Sequence, residues 1–297
     1  MDITLLDGGM GQELIARHDA PATPLWSTSV MMDAPELVRA VHDDFFAAGA
    51  TIATTNSYAL HADRLDPAGL GAERDALIAV ALRLAAEARN GNGGGRIAGS
   101  IGPLGASYRP DLGPPVERTA ALYEEMARKL APGCDIILAE TLSSVEQATG
   151  ALQGSAKASL PVWIGLTVKD DDGTRLRSGE PLEALLEVLE AHPCAAVMLN
   201  CSRPEAIAEG LPVLARTGRA FGAYANGFTK ISEAFLGSRP TVDMLSGRTD
   251  LGPEAYADHA MSWIEQGASI VGGCCEVGPA HIAALAERLR AAGHRIV

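Results

Sequence analysis

The feature of this sequence that most constrains its fold is an eightfold alternation of short apolar runs with amphipathic stretches. The apolar runs carry hydrophobic residues at successive positions, which is typical of strands buried on both faces of a parallel sheet. We assign strands to residues 3–7, 51–56, 96–100, 135–140, 162–167, 195–200, 220–226 and 269–273. Helical patterns fill the intervals between them.

The helical patterns cover residues 34–48, 72–90, 115–130, 143–153, 181–190, 204–215, 253–266 and 279–291. Several of them open with proline at or near the first helical position, where its missing N–H costs nothing. Eight strand–helix units without a break in composition predict one α/β domain over residues 1–297, a single (β/α)8 TIM barrel. A doubly wound open sheet is the rival fold, but the turn Asp7-Gly8-Gly9-Met10-Gly11 only weakly resembles its phosphate-binding loop.

Composition narrows the class of protein. Of the 297 residues, 47% are hydrophobic, and 24 basic against 37 acidic residues give a net charge of −13. This charge disfavours nucleic acid as a partner and mildly attracts small cations. The sequence shows no signal peptide and no apolar run of the ~20 residues that a membrane helix needs, and its five cysteines do not suggest a disulfide framework. We therefore expect a cytoplasmic protein without membrane partners, and a homo-oligomer stays open.

Polar residues and thiols follow the apolar strands where each strand ends. In a (β/α)8 barrel the C-terminal ends of the strands share one face, and the chemistry takes place there. The strand ends carry Asp7, Asn56, Ser100, Glu140, Thr167, Asn200-Cys201, Asn226 and Cys274-Cys275. We expect these residues to surround the active site.

Three cysteines stand at two of these ends, Cys201 after strand six and Cys274-Cys275 after strand eight. Three thiolates can hold Zn²⁺ and leave a fourth position open, which suits a substrate that is itself a thiol. The alternatives are buried apolar cysteines, the interpretation preferred for Cys134 and Cys194, and a vicinal disulfide. The pattern predicts a zinc site on the C-terminal face of the barrel.

Together these residues resemble the homocysteine S-methyltransferase family. The most specific match pairs Asn200-Cys201 with Gly272-Gly273-Cys274-Cys275. Further matches are Asp7-Gly8-Gly9, Pro24-Leu25-Trp26-Ser27, Thr54-Thr55-Asn56-Ser57-Tyr58, Gly99-Ser100-Ile101-Gly102-Pro103, Ala139-Glu140-Thr141, Arg177-Ser178-Gly179-Glu180, Pro279 and His281-Ile282. The resemblance covers nearly the whole chain.

The resemblance implies a role for each matching position. The zinc thiolates fall on Cys201, Cys274 and Cys275, and the carboxylate that receives the homocysteine ammonium falls on Glu140. The backbone of Asp7 and Gly8 is expected to help hold the amino-acid end, and the amide N–H of Thr55 is expected to meet the substrate carboxylate. An α-amino acid needs such an anion and such donors. For Asp7, a structural role in the following turn is the alternative.

The donor site is less well marked. A methyl donor that reacts without activation is usually a sulfonium or a quaternary ammonium, and aromatic rings hold such cations well. Trp26 and Tyr58, with Tyr108 in a later loop, are the aromatic candidates, and Asn226 and Glu276 are the polar ones. The long segment 227–252 is expected to fold over the mouth as a lid.

The predicted function is zinc-dependent methyl transfer from a small cationic donor to homocysteine, forming methionine. S-methylmethionine is the first candidate donor and S-adenosylmethionine the second, because Thr141 stands where the betaine-using branch has tyrosine and the chain has no room for cobalamin modules. The alternatives are a betaine- or thetin-type enzyme, a selenohomocysteine methyltransferase, or a zinc- or thiol-binding barrel without turnover. A barrel lyase or aldolase is disfavoured because no lysine stands at a strand end.

Overall fold

Eight parallel strands form the centre of the computed structural model, which describes residues 1–18, 25, 27–237, 241 and 244–297. The strands are β1 (Asp2–Leu5), β2 (Ile52–Thr54), β3 (Arg96–Ile101), β4 (Ile136–Leu142), β5 (Val162–Leu166), β6 (Ala196–Asn200), β7 (Ala220–Ala225) and β8 (Ile270–Gly273). Each one overlaps a predicted strand. The spatial order β2-β3-β4-β5-β6-β7-β8-β1 follows the chain, as expected of a barrel.

The strands close on each other between β1 and β2. The amide of Thr51, just before β2, donates to the carbonyl of Leu5 at 2.8 Å. Beyond it, the carboxylate of Asp7 accepts the amide and the hydroxyl of Thr54, each at 2.6 Å. A short ninth strand, β9 (Arg295–Ile296), pairs with β1 at the other end of the seam. This seam is therefore held by a few backbone bonds and one buried carboxylate.

Helices surround the strands. They are α1 (Met10–Arg17), α2 (Ser27–Asp33), α3 (Pro35–Ala48), α4 (Ala62–Leu65), α5 (Arg74–Gly91), α6 (Val116–Leu130), α7 (Val145–Ser155), α8 (Leu185–Ala191), α9 (Pro204–Ala215), α10 (Pro253–Glu265) and α11 (Pro279–Ala291). The helices predicted from periodicity are confirmed, although the one predicted for 181–190 begins as a 3-10 turn at Leu182–Ala184. Among the described residues, no helix has the length and apolar character needed to cross a bilayer.

Two layers of apolar side chains form the core. One cluster takes residues from the strands alone, including Ile136, Leu138 and Met198, and fills the inside of the barrel. The alternate strand residues, such as Ile137 and Val197, pack with the helices in the larger cluster. Because both faces of each strand are buried, the barrel is a rigid platform for the residues at its C-terminal face.

Candidate active site

The sulfur atoms of Cys201, Cys274 and Cys275, here called the thiol cluster, meet at the C-terminal end of β7. Strand β7 lies between β6 and β8, and the carbonyls of Tyr224 and Ala225 accept the amides of Cys201 and Cys274 at 3.2 and 2.9 Å. The sulfur of Cys274 lies 2.8 Å from that of Cys201 and 3.9 Å from that of Cys275. The sheet order thus brings together thiols that are 73 residues apart.

Two of the strained backbone positions at this face directly follow Glu140 and Asn200. Cys201 and Thr141 have φ values of 49° and 61°, which non-glycine residues rarely adopt. The side chain of Asn200 holds Thr141 in this conformation, since its oxygen accepts the Thr141 amide and its nitrogen donates to the Thr141 hydroxyl, each at 3.0 Å. Asn200 therefore ties the irregular end of β4, just after Glu140, to the end of β6, just before Cys201. Such strain is commonly kept at functional sites.

The thiol cluster has the donor set of a metal site. Its three ligand atoms lie within 4.8 Å of one another. Tetrahedral ligation with Zn–S bonds of about 2.3 Å separates sulfur atoms by about 3.8 Å. The separation of 3.9 Å between Cys274 and Cys275 fits this value, and the 2.8 Å separation of Cys201 and Cys274 would open by about 1 Å. The residues present can hold a thiophilic metal ion.

One sulfur of the cluster is the favoured site of negative charge. The pKa of Cys201 is held well below its usual value, first because the thiols of Cys274 and Cys275 hydrogen-bond to its sulfur. The hydroxyl of Tyr108 and the charge of Arg177 act in the same direction. Burial alone would raise the pKa, so these contacts outweigh the loss of solvent.

Aromatic side chains cover the thiol cluster. Tyr108, Phe228, Phe235 and Leu245 are buried in one group with Cys201. The rings of Tyr108 and Phe235 meet edge to face with their centroids 5.9 Å apart. Three of these residues belong to the segment after β7, so the described part of that segment packs against the thiol cluster. Cys201 is buried beneath it, and Cys274 and Cys275 are half-buried.

Glu140, at the end of β4, lines the same central cavity as the thiol cluster. Its carboxylate accepts hydrogen bonds from the hydroxyls of Ser100, at 2.5 Å, and Tyr224, at 3.1 Å. In the described part of the chain no lysine, arginine or histidine pairs with it, and only 7% of the residue is exposed. Burial raises the pKa of Glu140 to about 7. A buried carboxylate with two neutral partners is suited to a cationic ligand.

Asp7 lies across the cavity, and its carboxylate is committed to Thr54 in the seam between β1 and β2. Burial raises the pKa of Asp7 to about 6, although the hydrogen bonds from Thr54 oppose the shift. Both carboxylate oxygens are engaged in this seam, which fits the structural role that the sequence left open as an alternative. The adjacent amide of Gly8 has no hydrogen-bond acceptor among the described residues and remains a candidate donor.

Gly8 must lack a side chain. A Cβ at this position would lie 2.1 Å from the carbonyl oxygen of Val277 and 2.8 Å from the ring of Phe45. Real contacts of this kind are much longer, so any larger residue would displace the loop after β8. That loop follows directly on Cys275. The close approach of the two loops is what places the Gly8 amide on the cavity wall.

Thr55 lines the cavity, but its amide does not have the predicted role. The Thr55 amide donates to the carbonyl of Ala98 at 2.9 Å, because the ladder between β2 and β3 continues one residue beyond β2. Its hydroxyl is also bonded, to Ser57 and to the amide of Ser100. The next amide, that of Asn56, has no acceptor among the described residues and also lies on the cavity wall.

The predicted donor residues are dispersed. Tyr58 lines the central cavity, with its hydroxyl 2.8 Å from that of Ser107. Asn226 is buried, and its side-chain oxygen accepts the amide of Phe228, so it shapes the turn after β7. Trp26 lies outside the described residues.

Glu276 lies beside the central cavity and not on its wall. It has a left-handed backbone, with φ of 65°, and lines a neighbouring cavity together with Glu13 rather than the central one. Its predicted role toward the methyl donor therefore stays a prediction.

Two polar residues of the site were not assigned a role from sequence. Tyr224 donates to Glu140 across 84 residues of sequence, and Asn200 orients Thr141 across 59 residues. Both stand near strand ends, and Asn200 was already noted beside Cys201. Their partners depend on strand register, which the sequence pattern does not specify.

Comparisons with known proteins agree with this geometry. The sequence model of the family described as homocysteine S-methyltransferase matches residues 4–289. The homocysteine S-methyltransferase of Escherichia coli (strain K12) is 33% identical over 315 residues, covering 97% of this chain and 95% of its own length. The selenocysteine Se-methyltransferase of Brassica oleracea var. italica is 28% identical over 316 residues, covering 96% and 88%.

A solved structure extends the comparison to the fold. The metallated form of the homocysteine methyltransferase MmuM from Escherichia coli superposes with a TM-score of 0.81 at 31% identity, covering 97% of this chain and 96% of its own. The predicted barrel and the predicted resemblance are both confirmed. The family match over nearly the whole chain and the 33% identical relative show that this protein belongs to the homocysteine S-methyltransferase family.

Proposed function

We propose that this protein transfers a methyl group from a small sulfonium donor to the sulfur of homocysteine, with zinc held by the thiol cluster. The observation that carries the proposal is the shared cavity of the thiol cluster and Glu140. One end of this cavity suits a thiophilic metal and the other suits an ammonium group. Homocysteine carries a thiol and an ammonium group at opposite ends.

The amino-acid end of homocysteine is assigned to the wall formed by Glu140 and the two free amides. The ammonium group neutralises the carboxylate of Glu140, which Ser100 and Tyr224 hold in place through their hydroxyls. The amides of Gly8 and Asn56 are the proposed donors to the substrate carboxylate. Charge-assisted hydrogen bonds of this kind fix both position and orientation.

Cys201, Cys274 and Cys275 are the proposed zinc ligands, because three thiolates favour a soft ion and leave one tetrahedral position open. Zinc bound there supplies Lewis acidity that lowers the pKa of a thiol placed against it. The protein's own contribution is to align that thiol with the donor and to exclude water with the rings of Tyr108 and Phe235.

In the transfer step, a bond forms between the homocysteine sulfur and the methyl carbon while the bond between that carbon and the donor sulfur breaks. The electron pair of the broken bond stays on the donor, which leaves as a neutral thioether, and the thiol proton goes to solvent. The positive charge of the donor and the negative charge of the thiolate cancel. A dry, aligned site therefore accelerates the reaction more than a site that stabilises new charge.

S-methylmethionine is the proposed donor and S-adenosylmethionine the second candidate. The test is formation of methionine by purified protein with homocysteine and each of these sulfonium compounds, betaine or a methylated folate. We expect turnover with a sulfonium. A preference for betaine or the folate would contradict the donor assignment, and no methionine with any of them would contradict the function.

The buried carboxylate of Glu140 should also affect stability. Its pKa rises from 4.5 to about 7 on folding, so the folded chain binds this proton more tightly than the unfolded chain. The free energy of unfolding should therefore fall as pH rises between these values. At pH 8, without homocysteine, Glu140→Gln should be more stable than the parent by on the order of 1–3 kcal/mol.

Urea unfolding at pH 5 and pH 8 measures this effect. The advantage of Glu140→Gln should nearly vanish at pH 5, where the parent carboxyl is protonated in its folded state. Homocysteine added at pH 8 should reduce the advantage, because its ammonium group stabilises the ionised parent. A variant less stable than the parent at pH 8 would contradict the prediction.

A further inference from the structure

A second cavity, here called the positive cleft, opens at the barrel mouth beside Tyr108. It is lined by Lys169, Arg177, Arg203 and Lys230, together with Asp170 and Asp171. In a chain with a net charge of −13, this places four of the 24 basic residues on one small surface. The loop after β5, the start of α9 and the segment after β7 all contribute to it.

The acidic residues of the positive cleft do not neutralise it. One oxygen of Asp170 accepts Arg177 at 2.7 Å, and the other accepts the amide of Ile231 at 3.0 Å, so this carboxylate is fully used. Lys169 and Lys230 have no ion pair in the described part of the chain. The cleft therefore keeps an excess of positive charge.

Arg203 adds a further positive charge to the wall of the positive cleft. Its Nε is buried and makes no hydrogen bond within the described residues. The nearest carboxylate oxygen, on Glu205, is 3.6 Å away, and Glu205 is already bound by Arg248 at 2.7 and 2.9 Å. Arg203 therefore keeps only a long ion pair, and its remaining charge adds to that of the lysines, so an anionic ligand in the cleft would be stabilised by charge.

The ring of Tyr108 lies beside both the positive cleft and the thiol cluster. The guanidinium of Arg177 is 5.1 Å from the centroid of the Tyr108 ring, and Tyr108 also lines the central cavity and packs against Cys201. Asp170 pairs with Arg177 at 2.7 Å and offsets part of its charge. Tyr108 is the residue that lines both cavities, so a ligand that reaches past this ring would place one end in each.

On the basis of the proposed function, we propose that the positive cleft binds the carboxylate of the methyl donor. The rings of Tyr108 and Phe235 then hold the onium group above the thiol cluster. In S-methylmethionine, four bonds separate the sulfonium sulfur from the carboxylate carbon, a span of about 5 Å, which is close to the width of the intervening ring. The enzyme thus selects onium donors that carry a carboxylate.

The test compares S-methylmethionine with its carboxamide, which keeps the sulfonium and the ammonium but lacks the carboxylate. The parent should use S-methylmethionine with a kcat/KM about tenfold or more above that for the carboxamide. In the double variant Lys169→Gln/Lys230→Gln, kcat/KM for S-methylmethionine should fall about tenfold while that for the carboxamide hardly changes. The KM for homocysteine should stay the same in the double variant.

Lys157→Gln is the matched control. This lysine is exposed on a 3-10 turn before β5, at the opposite end of the barrel, so its variant should behave as the parent does with both donors. Equal use of the two donors by the parent would overturn the proposal. An equal loss for both donors in the double variant, or no loss, would also overturn it.

Failure of the proposed function gives a different result, since the parent would then form no methionine from either compound. Calorimetric binding of S-methylmethionine and its carboxamide to the parent and to the double variant still tests the cleft in that case. Tighter binding of the carboxylate form by the parent alone supports the assignment. Equal affinities contradict it.

Discussion

A Cys201→Ser variant is expected to lose both its bound zinc and nearly all methyl transfer. The parent should hold about one zinc ion per chain, and the variant should hold far less. A serine hydroxyl is a hard oxygen donor that stays protonated at neutral pH, so it cannot replace a thiolate. Because the three thiols act as one unit, activity should fall by about 10³-fold or more.

Metal analysis of the purified chains and the rate of methionine formation measure the two effects separately. Cys194→Ser is the matched control, since this half-buried cysteine precedes β6 at the opposite end of that strand from Cys201. It should keep both zinc and activity. A Cys201→Ser variant with full zinc content and full activity would contradict the assignment of the thiol cluster.

The fold could be predicted because burial on both faces of each strand leaves a direct trace in sequence. The observed β6, Ala196–Asn200, differs by one residue from its predicted range, and β8, Ile270–Gly273, does so too. Helix α1, Met10–Arg17, was not predicted. It has only eight residues, of which Leu14 alone is buried, and Gly9 provides no side-chain cap, so it is too short for a clear period and lacks a start signal.

The thiol cluster could be predicted because the C-terminal ends of all strands of a barrel lie on the same face. Whether a particular atom at that face is free is a different question. The amide of Thr55 is occupied because the β2–β3 ladder extends to Ala98, and Glu276, with a left-handed φ of 65°, lines a neighbouring cavity instead of the central one. Single hydrogen bonds and single dihedral angles of this kind depend on tertiary context and leave no periodic pattern.

The largest effect expected at the other end of the cavity comes from Glu140→Gln. Glutamine keeps the shape, and its oxygen can accept one of the two hydroxyl hydrogen bonds while its NH2 group donates to the other hydroxyl, but it removes the charge that faces the substrate ammonium. We expect the KM for homocysteine to rise about 10- to 100-fold, as for the loss of a hydrogen bond to a charged group. Zinc content should be unchanged, because Glu140 is not in the thiol cluster.

The deaminated acceptor 4-sulfanylbutanoate separates this role from a structural one. It has no ammonium group, so the parent should use it poorly and Glu140→Gln should lose little further activity with it. The control Glu146→Gln removes the same charge from an exposed position in α7 and should leave both acceptors unaffected.

The pH profile gives an independent check on the same assignment. Because the carboxyl of Glu140 has a pKa of about 7 and must be ionised to bind an ammonium group, kcat/KM for homocysteine should rise with pH through that value. This rise of kcat/KM with pH should be missing in Glu140→Gln. The same charge that destabilises the free protein above pH 7 would then be the charge that selects the substrate. If the variant lost activity equally with homocysteine and with 4-sulfanylbutanoate, and if its kcat/KM still rose with pH, Glu140 would be a structural carboxylate of the barrel mouth.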